Sequence, residues 1–191
     1  MITSTSNGQI KKIQQLLKKS KVRREEGLFI AEGLKMFREA PADRIEKVYL
    51  SGAFAEKGTW KEILREKGLE KEEREIIEVV EDKVFKTLSD TVTPQGVLCL
   101  IKMRDCTLEE LVPEGKVPLL MILEDLQDPG NLGTILRTGE GAGVTGIILS
   151  KNSVDIYNPK VIRSTMGSVY RMPFYYTSSI QEEILPWLRE K

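Results

Sequence analysis

In the run Asp128-Pro129-Gly130-Asn131-Leu132-Gly133-Thr134-Ile135-Leu136-Arg137, an amide and a guanidinium lie six residues apart, just after the apolar stretch Leu119 to Leu123. The local pattern predicts a strand, a Pro-Gly turn and a helix that begins at Asn131 and carries Arg137. Such a helix start leaves backbone N–H groups unpaired at the carboxyl end of a strand, where open α/β sheets keep their ligands. Asn131 adds a polar capping side chain, and Arg137, under two turns further on, is long enough to reach back to the same mouth. This is a setting for an anion. The structural alternative is a plain N-cap followed by an ordinary surface arginine.

The sequence contains no histidine. That removes Ser-His-Asp and Cys-His nucleophiles, histidine bases and the common zinc sites, so no metal is expected. Chemistry has to rest on Arg, Lys, carboxylates, amides or a bound cofactor. Cys99 and Cys106 form no Cys-x-x-Cys pair and read as buried free thiols. The 191 residues are 40% hydrophobic and 30% charged, as suits a folded protein with a real core. No apolar run nears the roughly 18 residues of a membrane span, and no signal-peptide layout opens the chain. The expectation is a cytoplasmic protein without membrane attachment.

Formal net charge is zero, but the charge is segregated. Residues 1–24 hold Lys11, Lys12, Lys18, Lys19, Lys21, Arg23 and Arg24 and no acid, while acids gather between Glu62 and Asp82. A basic arm of this kind fits a phosphate backbone, and a solvated amphipathic helix fits it equally. Ser6-Asn7-Gly8-Gln9 has capping-box form with Ser6 at the cap, and Ile10, Ile13 and Leu17 follow at helical spacing.

Short strands at 28–30, 48–50, 76–80 and 97–101 alternate with helices at 34–40, around Trp60 to Leu64, and at 82–88. This predicts a small α/β sandwich over residues 25–103. Residues 1–105 are read as the first domain and 106–117 as a linker. Residues 118–191 form the second domain, with strands at 118–123, 145–149 and 172–175 and helices at 131–142, from 158 and from 179. Gly141-Ala142-Gly143-Val144-Thr145-Gly146 matches the dinucleotide pattern, but a helix precedes it and a strand follows, the reverse of what that site needs. A nicotinamide oxidoreductase is therefore a weak reading. Lys160, Arg163 and Arg171 lie in an acid-poor stretch, a second basic segment that points to a polyanionic partner.

The segment Asp128 to Arg137, with Gly141-Ala142-Gly143 after it, resembles the first signature motif of the SpoU (TrmH-type) RNA 2′-O-ribose methyltransferases of the SPOUT superfamily. Asn158 to Ser168, running to Pro173, resembles the family's next block. In the first half, Phe29-Ile30-Ala31-Glu32-Gly33 and Thr93-Pro94-Gln95-Gly96 resemble its ribosomal-protein-like substrate-binding domain. The resemblance implies an α/β fold, with that substrate-binding sandwich followed by part of a SPOUT (trefoil-knot type) domain. It also implies methyl transfer from S-adenosylmethionine to a ribose 2′-hydroxyl, on ribosomal rather than transfer RNA.

Arg137 and Asn131 match the catalytic positions of the motif. A free guanidinium keeps its proton far above neutral pH, so clamping a phosphate suits Arg137 better than acting as a base. Asn131 would hold the ribose or its loop, and Lys11, Lys12, Arg23, Arg24 and Arg163 are read as RNA contacts. The family's Asn-Glu-Gly loop and Ser-Leu-Asn-Val-Ser segment, which build the cofactor pocket, the knot and the dimer helix, do not occur in these 191 residues. The cofactor-binding residues stay unassigned, the 191 residues alone are expected to be inactive, and a homodimer is expected of the full-length protein. The competing reading is a noncatalytic RNA-binding module.

Overall fold

Asn7, rather than Ser6, starts the first helix. Its side chain accepts the Gln9 N–H at 2.8 Å, whereas the Ser6 hydroxyl bonds Ser4 at 2.7 Å. An Asn carbonyl reaches the N2 amide as readily as a Ser hydroxyl reaches N3, so two adjacent cap residues compete and one wins. The computed structural model describes residues 1–89, 91, 93–115 and 117–190. It comprises two units, Met1–Met103 and Arg104–Lys191.

The first unit runs α1 (Gly8–Lys18), α2 (Ser20–Glu26), β1 (Leu28–Glu32), α3 (Leu34–Glu39), β2 (Ile45–Ser51), α4 (Gly52–Lys57), α5 (Thr59–Lys67), α6 (Glu73–Ile76), β3 (Ile77–Val80), α7 (Asp82–Lys86) and β4 (Val97–Lys102). Its sheet has the order β1-β4-β2-β3, with β4 antiparallel to both neighbours and β2 parallel to β3. Side chains alternate along a strand. Leu28, Ile30, Leu98 and Leu100 join Ile10, Ile13 and Leu16 of α1 in one core cluster, while Phe29, Cys99 and Ile101 between them are equally buried. Both faces are thus covered. Leu16, not Leu17, completes the buried stripe of α1, with Leu17 packed at its margin.

The Thr93-Pro94-Gln95-Gly96 turn serves the fold. Its Gln95 side-chain oxygen accepts the Leu34 N–H at 2.7 Å and so caps α3, which has no cap of its own. Burial pushes the Cys99 thiol up, far from any reactive range. Cys106 is only half-buried, because it lies at the edge of the second unit's cluster rather than in a strand.

The second unit runs β5 (Leu120–Leu123), α8 (Pro129–Gly141), β6 (Gly146–Ser150), α9 (Pro159–Thr165), β7 (Phe174–Thr177) and α10 (Leu185–Glu190). Its three strands are parallel in the order β5-β6-β7, joined by α8 and α9. A wide turn, Ile180–Ile184, leads into α10, where Pro186 sits in the first turn and needs no donor. The stretch read as a linker packs into this unit instead. Leu111 is fully buried with Ile148 and Ile184, and a Cβ on Gly146 would meet its Cγ at 2.4 Å. That close approach, not a nucleotide, accounts for the third glycine of the dinucleotide-like pattern. Lys116 of that stretch and Lys191 lie outside the described residues. Among the described residues no helix is long and apolar enough to cross a membrane.

Candidate functional site

Helix α8 begins two residues earlier than its sequence predicts. Asp128 is the cap, accepting the Asn131 N–H at 2.6 Å, and Pro129 takes the first helical position, where its fixed φ and missing N–H cost nothing. Asn131 therefore caps nothing. It lies inside the first turn with its side chain exposed and not spent on the helix end.

Leu132, Gly133, Leu136 and Gly139 face inward, so Thr134, Arg137 and Thr138 are left on the outer face. Arg137 lies roughly 9 Å along the axis from Asn131 and about 120° around it. Among the described residues no hydrogen bond or ion pair holds its guanidinium. The Thr134 hydroxyl donates to the Gly130 carbonyl at 2.9 Å and closes the first turn. Gly133 is needed for packing: a Cβ there would lie 2.4 Å from Ser164 Cβ and 2.7 Å from the Val161 carbonyl of α9. The Asn-x-Gly-x-x-x-Arg spacing thus combines one polar group, one close helix contact and one cation.

The loops leaving β5 and β6 are tied together beside this helix start. The Ser150 hydroxyl donates to the Asp125 carboxylate at 2.8 Å and accepts the Asp125 N–H at 2.8 Å. Ser153 Oγ accepts the Leu126 N–H at 3.2 Å, and the Gln127 amide donates to the Asn152 carbonyl at 2.8 Å. Asp125 adopts φ 49°, a left-handed conformation that a short polar side chain tolerates. At the end of β7, Tyr175 and Thr177 donate to the Glu183 carboxylate. These bonds, Thr177 first, hold its pKa below the ordinary glutamate value, and the Tyr175 phenol is raised by the same partner. None of these rim residues stands out in the sequence except Asp128, whose Asp-Pro pair is a helix-start signal.

Arg163 is exposed on α9. Arg171, counted in the same basic segment, is neutralised by Glu140 of α8. In the arm, Lys11 and Arg24 are exposed and Lys12 is paired with Glu26 at 2.7 Å. Arg23 departs from expectation: it is 3% exposed and donates to the Leu16 carbonyl at 2.7 Å. The carbonyls at the end of α1 need a donor, and the turn into α2 brings Arg23 under them, so it is a structural cap and not an RNA contact. A separate cavity of about 240 Å³ in the first unit is lined by Ser51, Ala53, Asp82, Phe85, Lys86, Pro94 and Gly96. Among the described residues no three of Cys, Asp or Glu gather to hold a metal ion.

Two family models match the sequence. Residues 7–99 match an MRM3-like substrate binding domain and residues 118–191 match the SpoU rRNA Methylase family. Human mitochondrial rRNA methyltransferase 3 is 32% identical over 178 residues, which is 91% of this chain and 40% of that protein. A solved RNA 2′-O ribose methyltransferase superposes with a TM-score of 0.70 at 30% identity, covering 99% of this chain and 69% of the other. An AdoMet-bound rRNA methyltransferase from Sinorhizobium meliloti superposes with a TM-score of 0.79 at 29% identity, covering 98% and 67%. The chain therefore spans about 40% of the length of its mitochondrial relative.

Proposed function

Because the chain belongs to the SpoU rRNA methylase family, we propose that the full-length protein transfers a methyl group from S-adenosylmethionine to a ribose 2′-oxygen of RNA, ribosomal rather than transfer RNA. The observation that carries this reading is the outer face of α8, where Asn131 and Arg137 stand exposed and, among the described residues, no hydrogen bond or ion pair competes for Arg137. Arg137 clamps the phosphate next to the target ribose and Asn131 hydrogen-bonds the sugar, which together fix the 2′-oxygen for attack. Residues 1–105 serve as the RNA substrate-binding domain, with Lys11, Lys12 and Arg24 on the backbone, and Arg163 adds a phosphate contact from α9. The reading places the protein in the cytoplasm, as a homodimer in its full-length form.

The methyl donor has a poor fit within these residues. Asp125, Gln127, Ser150 and Ser153 of the rim loops are committed to bonds within the rim, and the two orphaned buried polar atoms among the described residues, Glu72 Oε2 and Trp187 Nε1, belong to neither loop. What these residues do is bind and orient the RNA, and the 191 residues by themselves are expected to be inactive. Calorimetry on this chain giving tight S-adenosylmethionine binding would overturn that.

The deciding experiment is methyl transfer from labelled S-adenosylmethionine to ribosomal RNA by the full-length protein, with the modified position read as resistance to alkaline cleavage. Label on a base, or on no RNA, sinks the proposal. A noncatalytic RNA-binding module is the second reading, favoured by the exposed lysines of the arm. It predicts RNA binding with no transfer in the same assay.

A further inference from the structure

Glu140 lies three residues beyond Arg137 on α8, a spacing at which opposite charges meet on a helix surface. Both of its carboxylate oxygens are nevertheless engaged elsewhere. Oε1 accepts from Arg171 Nε, and Oε2 accepts from the Ser168 hydroxyl at 2.6 Å and from Arg171 Nη2 at 3.2 Å. Arg171 grips the carboxylate with two N–H groups along one edge of its guanidinium, a charge-assisted geometry that a single mobile i,i+3 contact does not match. Ser168 belongs to the short turn after α9, so the same clamp ties the second basic segment to α8.

We propose that Arg171 is a positioning residue for the transfer reaction: by holding Glu140, it keeps the neighbouring Arg137 guanidinium unpaired and open to an RNA phosphate. Removal of Arg171 releases a carboxylate next to Arg137. The released charge pairs with Arg137 and repels the incoming phosphate, and both effects weaken the clamp. The proposal rests on the functional reading above, but the state of Arg137 can be read without it.

Two measurements on the full-length protein test it. The first is the rate at which phenylglyoxal modifies Arg137, followed by peptide mass spectrometry; the second is kcat/KM for RNA methylation. In Arg171→Ala, modification of Arg137 slows about threefold and kcat/KM falls about fivefold, the size of a surface ion-pair effect. Adding Glu140→Gln to that variant restores both to within about twofold, because the interfering carboxylate is gone although the clamp stays broken. A purely structural clamp gives no such rescue. Arg137 modification unchanged in Arg171→Ala, or a double variant no better than the single one, overturns the proposal. Absence of methyl transfer by the wild-type protein counts against the functional reading alone, since the modification rates still judge the Glu140 pairing.

Discussion

Arg137 and Arg23 are both arginines next to apolar helix positions, yet Arg137 is exposed with no partner among the described residues and Arg23 is buried under a helix end. Their substitutions should fail in opposite ways. Arg137→Ala is expected to leave the melting temperature unchanged and to lower methyl transfer by the full-length protein about 100-fold, the scale of a lost positioning contact. A radiolabel assay with RNA binding measured in parallel checks it, and transfer at wild-type rates would remove Arg137 from the site. Arg23→Ala leaves the Leu16 carbonyl without its donor in a closed environment. It should destabilise the fold by about 1–3 kcal/mol, read from urea melts, with the salt dependence of RNA binding unaltered.

At the scale of elements, the contact between α8 and α9 sets the geometry of the site. Gly133→Ala would drive a methyl group into Ser164 and the Val161 carbonyl, and backbone cannot yield as a side-chain tip can. A cost of about 1–3 kcal/mol is expected, measured by thermal unfolding. Activity should drop with it, because Asn131 and Arg137 ride on the displaced helix. The bonds from Tyr175 and Thr177 to Glu183 carry a pH signature. The Glu183 carboxyl is held below the ordinary value, so the stability it contributes is fully present above about pH 4.3 and is lost as pH falls through the depressed folded value. Glu183→Gln should therefore lower the melting temperature at pH 7, and the gap from wild type should close in acid. A gap that widens in acid would contradict the assignment.

Strands and helices in this chain are legible because the hydrophobic period is clear: β1, β2, β4 and β6 fall where the apolar runs lie. The sequence pattern puts the start of α8 two residues late, since Asp128 and Asn131 are both good caps and only the Pro129 geometry separates them. Asn131 and Arg137 can be singled out from their spacing. The Glu140–Arg171 clamp cannot, because it joins residues 31 apart through a turn whose path no local pattern predicts. The same limit hides the burial of Arg23 and the packing of Leu111 on Gly146.

For the whole molecule, the division at Met103 separates two compact units, to which the proposed function gives different roles. Residues 1–103 contain a four-stranded sheet with both faces covered and their own core, the condition for a segment to fold alone. They also contain the basic arm, where Lys11 and Arg24 are exposed and Lys12 is half-committed to Glu26. Residues 104–191 carry the α8 site but a smaller sheet whose strand β5 leaves Ile122 exposed, with Val117 and Leu119 exposed just before it. A fragment of residues 1–103 is accordingly expected to unfold in one cooperative transition and to bind RNA with an affinity that falls as salt rises. Neutralising Lys11 and Arg24 together should reduce the slope of log affinity against log salt by about two, one for each phosphate contact removed. Arg23→Ala in the same fragment should leave that slope alone. A fragment that folds but binds RNA with no salt dependence would move RNA recognition out of the arm and leave the exposed face of α8 and α9 as the place to look for it.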